Sequence, residues 1–497
     1  MTSDVLEKIL KHTRQTAMLQ STMALLEWDQ NTGLPSNAAE YRAEQLTMLA
    51  GLLHKRRVDP QLGDWINQLS EQTGNQDPLA PSSVMARCIK REYQRAIKLP
   101  QSLVQAISHA TSIGQQIWVE SKLRDDFSGF LSCLEKIIEL KRQEADCLAA
   151  PGQSRYDVML DSYEEGATKE QIRRIFDRLR DSLVPLIQKA SEKSAKLGPS
   201  VVEGRFEIKP QEEFAKWVAR QIGFDFDRGR LDQTEHPFCT TLGPHDHRIL
   251  TRYSKESFST GFFGVLHEAG HGMYEQGLDP LWYGTPVGSA ASLGVHESQS
   301  RLWENSVGLS DSFWHWAHPH LLEYFPGSFE GVPLEQLVQD LNRVQPSLIR
   351  IEADEVTYNM HILIRFELEE QLMDGQLNAR ELPNAWKSKY QEYLGVVPTT
   401  DQQGVLQDVH WSAGLIGYFP TYTLGNIYAA QLYHAADQQL GGLDRLVRAG
   451  EFRPLLEWLQ SKVHRHGQSY LPMQLIEQAT DQKVDSKYLV EHLKTKC

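Results

Sequence analysis

The run His267-Glu268-x-x-His271 stands inside GFFGVLHEAGHGMYEQG. On a helix, positions i and i+4 are about 400° apart in rotation, so two imidazoles lie about 40° from superposition and can share one metal ion. Glu268 projects from a neighbouring part of the same surface. It reaches a water on that metal and not the metal itself, the arrangement of a zinc peptidase with a glutamate general base. The plainer reading is a helix with two histidines on its polar face. The apolar run 261–266 opposes it by burying the helix, and Gly270 and Gly272 leave room beside His271.

Two histidines leave the site short of a ligand, because catalytic zinc takes three protein ligands and one open position. A metzincin continuation is absent: Tyr274 and Gly277 stand where its glycine and third histidine would be. The third ligand is therefore expected from another element. Gly294-Val-His296-Glu297-Ser298-Gln299 opens an expected helix running to Asn305, and Glu297 lies 26 residues after His271. That distance suits a glutamate on a second helix packed across the first, giving a His2Glu site. Glu275 and Glu304 compete for the position, and His296 could ligate from a different face.

The elements that must position these groups are mostly helices. Val5, Leu6, Ile9 and Leu10 make an apolar stripe on an early helix that runs through Trp28 and stops near Gly33 and Pro35. Further helices are expected at 41–55, 82–98, 102–124, 127–149 and 169–197, the last kinked or divided at Pro185. Short strands are expected at 205–209 and 247–253, with 223–243 read as loop. Helices resume after Lys255. In Trp314-His315-Trp316-Ala-His318-Pro-His320, Pro319 is expected to break helical spacing, so the segment reads as aromatic packing and not as a metal site. The expected fold is mostly α: one large metallopeptidase domain over 1–497 with a small sheet near the middle. The stretch 150–166 is the expected break between an N-terminal helical lobe, about 1–150, and a catalytic helical lobe, about 151–497.

Composition bounds the function. The 497 residues carry 51 Lys+Arg against 65 Asp+Glu, a formal net charge of −14. Such a chain repels phosphate backbones, so nucleic acid is not expected as a partner. Five cysteines without a C-x-x-C pattern read as reduced thiols. The N-terminus is charged where a signal peptide needs an apolar core, and no window approaches the ~18 apolar residues of a membrane span. A soluble, cytoplasmic protein with no membrane partner is expected.

With these residues in place, the chain resembles the carboxypeptidase Taq family of metallocarboxypeptidases over essentially its full length. The marks are His236-Pro237-Phe238, His267 to His271, His296 to Gln299, Ile349-Arg350-x-x-Ala353-Asp354, and Gly404-x-x-Gln407-Asp408-x-His410-Trp411. One departure concerns the family's D-x-R-x-T, where Asp246 and Arg248 are kept but Leu250 fills the threonine position. Thr251 is one residue later and would face the other side of a strand. The resemblance implies an enzyme that removes single residues from peptide C-termini with broad specificity. It also implies one divalent metal ion per subunit, zinc or cobalt, and a homodimer. The implied fold is a two-lobed helical body with a long central groove, similar in plan to angiotensin-converting enzyme and neurolysin.

Roles then follow from residue chemistry. A metal on His267, His271 and Glu297 would lower the pKa of a bound water toward ~7, and Glu268 would take its proton. The oxyanion needs donors, for which His410 and Tyr422 are the candidates, with Tyr418 as the alternative to Tyr422. The substrate carboxylate needs a bidentate arginine. Arg350 is the first choice, its plain alternative being an i,i+4 pair with Asp354. Arg248 is second and could equally pair with Asp246. His236 could bind substrate or merely shape a turn. Gln407 and Asp408 are expected to orient the groups around them. Two other functions remain open: a zinc oligopeptidase or dipeptidyl carboxypeptidase on the same site, and a peptide-binding relative without turnover.

Overall fold

A computed structural model describes residues 4–496 of the chain. Its helices run α1 Asp4–Thr32, α2 Ala39–Arg57, α3 Pro60–Thr73, α4 Pro81–Lys98, α5 Gln101–Arg124, α6 Phe127–Leu148, α7 Arg155–Asp161, α8 Lys169–Ser194 and α9 Ile208–Ile222. Three strands follow, β1 Gly229–Gln233, β2 Phe238–Gly243 and β3 Asp246–Thr251. The chain then returns to helices: α10 Phe258–Gly277, α11 Leu293–Arg301, α12 Asp311–Tyr324, α13 Leu334–Leu341, α14 Glu355–Asp374, α15 Leu382–Leu394, α16 Pro420–Leu440, α17 Leu443–Arg448, α18 Arg453–Lys462, α19 Pro472–Thr480 and α20 Lys487–Lys494.

The residues fall into two compact units, each built from separated stretches. The first comprises Met1–Ala96, Pro199–Leu341 and Ala429–Lys483. The second comprises Ile97–Gly198, Asn342–Tyr428 and Val484–Cys497. The expected break at 150–166 lies within the middle of one of the second unit's stretches.

In the first unit, the stripe Val5, Leu6 and Ile9 of α1 packs with Ile66 and Leu69 of α3 and Val84, Met85 and Ile89 of α4. A second core surrounds α10. Phe258 and Phe262 stack at 5.2 Å, and Phe214 and Trp314 pack against Phe262 at 5.4 Å each. Here the aromatic segment of α12 is core packing, as expected, but Pro319 does not interrupt the helix. Phe313, Trp314, Ala317 and Leu321 are buried on both sides of the proline. Their burial offsets the hydrogen bond and close contact that a helical proline costs.

The sheet is three-stranded in the order β1-β3-β2, with β1 parallel and β2 antiparallel to β3. Two of its strands lie in the stretch expected to be loop, and the strand expected at 205–209 is instead the approach to α9 and its first two residues, Ile208 and Lys209. Register pairs Arg230 with Arg248. The Trp28 ring of α1 lies 5.0 Å from the first guanidinium and 4.3 Å from the second. This contact fixes the end of α1 to the sheet.

In the second unit, α8 is continuous through Pro185 and is neither divided nor ended there. Ile172, Phe176, Leu179, Leu183, Ile187 and Ala190 keep one buried face at helical spacing past the proline. Helix α14 is buried almost throughout, including Arg365 and Glu369.

Candidate metal centre and substrate-binding groups

Helix α10 carries His267 and His271 one turn apart, their rings 4.8 Å between centroids and nearly perpendicular. Helix α11 crosses α10 where Gly270 stands. A Cβ at that position would lie 2.5 Å from the Gln299 carbonyl oxygen and 2.6 Å from Ser300 Cα. The glycine therefore sets how closely the two helices approach, and the approach delivers Glu297. Glu297 Oε2 lies 3.7 Å from His267 Nε2 and 3.5 Å from His271 Nε2. Ligand bonds of about 2.1 Å at tetrahedral angles put donor atoms ~3.4 Å apart, so the spacing suits one zinc-sized ion. The donor atoms of these three residues all lie within 4.8 Å of one another.

The opposite nitrogen of each imidazole is held. His271 Nδ1 donates to the His296 carbonyl at 3.0 Å, and His267 Nδ1 meets Glu304 Oε2 at 2.7 Å. A carbonyl only accepts, which leaves the His271 Nε2 lone pair for a metal, and the carboxylate does the same for His267. Arg301 Nε donates to Glu297 Oε1 at 2.7 Å and Arg301 Nη1 to Glu304 Oε2 at 3.2 Å. The third candidate ligand, Glu275, instead accepts from His296 Nε2 at 3.0 Å and Thr241 Oγ1 at 3.1 Å. The three glutamates thus divide into one donor and two braces, and His296 is itself braced.

Glu297 and Glu304 favour positive charge at His267, which a proton or a metal ion would satisfy, while His271 stays neutral. Burial lowers the His267 pKa, but the carboxylates of Glu297 and Glu304 overcome it and raise the group to about 9. Burial and the nearby His296 lower His271 to about 3. Burial would raise Glu297, but Arg301 and His267 hold it well below the usual carboxylate range. Glu268 is 5% exposed and is pushed up to about 7, chiefly by burial. Its Oε2 is buried without a hydrogen-bond partner, as suits a base that meets a water brought in with a metal. The donor set, the spacing and this orphaned oxygen fit a divalent ion.

The second unit gathers most of the other expected residues. Arg350 opens a short 3-10 turn and does not share a helix with Asp354. The i,i+4 pairing is not formed: Asp354 caps α14, accepting from Val356 N and Thr357 N. Arg350 Nε donates to Asp408 Oδ1 at 2.9 Å and Nη1 to the Tyr358 hydroxyl at 3.1 Å. Gln407 Oε1 accepts from the Arg350 backbone N–H at 2.9 Å and from Arg365 Nη2 at 2.8 Å. Asp408 Oδ2 accepts from Arg365 Nε at 2.7 Å. His410 Nε2 is 3.2 Å from the Tyr422 hydroxyl, and its ring packs 4.4 Å from Phe419. Burial lowers the His410 pKa to about 4 although Asp408 opposes it, so the ring is neutral near pH 7. The Tyr422 ring lies 5.2 Å from the Arg350 guanidinium. Arg350, Gln407, His410 and Tyr422 therefore form one cluster.

Arg248 and His236 do not join a cluster of this kind. Both fork atoms of Arg248 go to Asp246 at 3.0 Å, and its face covers Trp28. His236 is exposed between β1 and β2. Leu250 is fully buried, and the Thr251 hydroxyl is buried without a hydrogen-bond partner, so Thr251 supplies no polar contact in place of the family threonine.

Residues 8–497 match the family described as Carboxypeptidase Taq (M32) metallopeptidase. The chain belongs to this family. Thermostable carboxypeptidase 1 of Thermus thermophilus is 42% identical over 99% of this chain and 98% of its own length. Carboxypeptidase 1 of Bacillus subtilis is 37% identical over 95% and 94%. The crystal structure of the M32 carboxypeptidase from Deinococcus radiodurans R1 superposes with a TM-score of 0.95 at 38% identity, covering 99% of each chain. Membership makes this chain a metal-dependent carboxypeptidase with the mostly helical M32 fold. The sequence reading passed over Arg365 and the bracing roles of Glu275 and Glu304. Glu297, Arg301 and Glu304 recur at i, i+4 and i+7, one stripe that a search for ligand braces would have found. Arg365 follows the apolar run Ile362-Leu363-Ile364 and precedes Phe366, a setting that marks a buried charge needing a partner.

Proposed function

We propose that this M32 metallocarboxypeptidase removes one residue at a time, with broad side-chain preference, from peptides with a free C-terminus. The observation that carries the reading is the meeting of His267 Nε2, His271 Nε2 and Glu297 Oε2 beside the unpartnered oxygen of Glu268. Two imidazoles and one carboxylate favour zinc, with cobalt as the alternative. A divalent ion there supplies Lewis acidity and an acidified water. Glu268 accepts the proton from the attacking water and passes it to the leaving amine. Glu304 and the His296 carbonyl keep both imidazoles presenting Nε2.

Arg350 is given the substrate carboxylate because it stands in one cluster with His410 and Tyr422, whereas Arg248 pairs with Asp246 and joins no such cluster. Asp408 and Gln407 hold Arg350 in one orientation, which makes a planar fork selective at low entropic cost. The neutral His410 and the Tyr422 hydroxyl are the donors assigned to the developing oxyanion. His236 is kept as a lesser substrate contact. A homodimer acting in the cytoplasm on peptides, without nucleic acid, completes the proposal. No described helix is long and apolar enough to cross a membrane.

The test is a mass-spectrometric time course on one short peptide, prepared with a free and with an amidated C-terminus. It is run with zinc, cobalt or chelator. A ladder of single-residue losses from the free peptide only, abolished by chelator, is expected. Dipeptide steps or internal cuts would replace this reading with a dipeptidyl carboxypeptidase or oligopeptidase. Equal cleavage of the amidated peptide would remove the carboxylate role of Arg350.

A further inference from the structure

Residues 404–419 carry Gln407, Asp408 and His410 and lead into Tyr422, yet they form neither helix nor strand. Backbone bonds close turns in and just before the segment, among them Leu406 N–H to Asp401 O at 2.8 Å and Leu415 N–H to His410 O at 2.9 Å, but no ladder joins it to a neighbouring element, so side chains set where it sits. The first half is held at Asp408 by Arg350 and Arg365. The second half converges on one carboxylate of α14. Glu369 is 0% exposed. Its Oε1 accepts from Trp411 Nε1 at 2.9 Å, and its Oε2 accepts from the Gly417 N–H at 2.9 Å and the Tyr156 hydroxyl at 2.9 Å. All three partners are donors, and only a carboxylate offers acceptors to each of them at once. Gly417 has φ +84°, and a Cβ there would lie 2.7 Å from the backbone of Met159. Helix α7 therefore supplies both the Tyr156 hydroxyl and the wall against which Gly417 is pressed.

We propose that Glu369 is a positioning residue for the reaction: it ties the 404–419 segment at Trp411 and at Gly417, and so fixes how His410 is presented. Asp408 lies two residues before His410, and Trp411 directly follows it. The imidazole is thus held between an anchor to Arg350 and Arg365 and an anchor to Glu369. This inference rests on the reading that the segment handles substrate.

The test uses the zinc-loaded Glu369→Gln enzyme. Glutamine turns an N–H toward at least one of the three donors while keeping size and shape. Hydrogen exchange in peptides spanning 404–419 is expected to rise roughly tenfold, the loss of about one buried hydrogen bond, with exchange elsewhere unchanged. The ratio kcat/KM is expected to fall roughly 10- to 100-fold through displaced groups, with zinc content kept at one per chain. Unchanged exchange in 404–419, or a rise spread over the whole chain, would overturn the anchor. A loosened segment with unchanged kcat and KM would overturn the positioning role. A fall in kcat/KM for His410→Ala, with normal exchange, would keep the reading of the segment whatever Glu369 does. Should Glu369→Gln fail to fold, Trp411→Phe removes one donor from the same carboxylate. It is expected to loosen the same peptides, and no local change would overturn the proposal.

Discussion

Replacing Glu304 by alanine separates what the proposed metal ligands do from what holds them. Glu304 touches His267 at Nδ1, on the far side of the ring from Glu297, at 2.7 Å. Its removal leaves His267 free to rotate or to change tautomer, while both other donors remain. Partners of this kind are worth about 10- to 100-fold in metal affinity. That corresponds to ~1.4–2.8 kcal/mol, close to the ~1.5–3 kcal/mol of one hydrogen bond to a charged group. Arg301 stays on Glu297 Oε1 at 2.7 Å, so the third proposed ligand keeps its brace and the loss should not exceed this range. Glu304→Gln keeps an acceptor for Nδ1–H and loses only the charge, so it should fall near the lower limit. Zinc affinity measured by competition with a chromogenic chelator should therefore rank parent above Glu304→Gln above Glu304→Ala. At saturating zinc, kcat should recover to within about tenfold of the parent. Equal affinities in all three proteins would refute the bracing argument. An unchanged affinity with a collapsed kcat would place Glu304 in the chemistry instead.

Glu268→Gln should keep zinc at one per chain and lower turnover roughly 10²–10⁴-fold, the usual worth of a positioned base; unchanged turnover would remove the assignment. Gly270→Ala pushes a methyl against the backbone of Gln299 and Ser300, which cannot yield as a side chain would. A loss of ~1–3 kcal/mol in stability together with weaker zinc binding is expected, and a thermal melt and affinity matching the parent would contradict the close helix approach. Asp408→Asn strips the counter-charge from Arg365, 0% exposed, and Arg350, 7% exposed. Urea unfolding at pH 7 should show a loss of ~3–5 kcal/mol, and a loss below ~1 kcal/mol would mean that the pair is screened. Burial would raise the Asp408 carboxyl, but Arg365 and Arg350 hold it far below the ordinary value. Its stabilisation is therefore complete above the unfolded carboxylate range and is lost as pH falls. The gap between parent and Asp408→Asn should narrow in acid, and a gap that widens would reverse the sign.

How much of this could be read from residues alone depended on how local the determinant was. The expected spans 82–98 and 102–124 fall within a residue of α4 and α5, because the signals that begin them are local: Pro81 opens α4 and Pro100 directly precedes α5. Strands β1 and β2 were missed because their residues are nearly all half-buried, with no apolar alternation to read. Their pairing through β3 is non-local as well. The pair His267 and His271 was legible because i and i+4 on one helix fix their geometry. Glu297, Glu275 and Glu304 could only be ranked once it was known which histidine nitrogen each one meets.

Arg350 shows the same limit most sharply. Arg350 and Asp354 have the spacing of a helical ion pair, but Asp354 followed by Glu355, Val356 and Thr357 also has the form of a helix start. The second reading is the one adopted, with Asp354 accepting from two backbone N–H groups and from Thr357 Oγ1 at 2.8 Å. A residue that caps a helix cannot share that helix with one four positions earlier, so Arg350 is released from Asp354 and must find another acid. Gln407 and Asp408 lie more than fifty positions later in the sequence, and Arg350 meets them through the turn that precedes the cap. The capping of α14 thus decides which carboxylate holds the arginine, and the arginine's orientation follows from an interaction that no local spacing encodes.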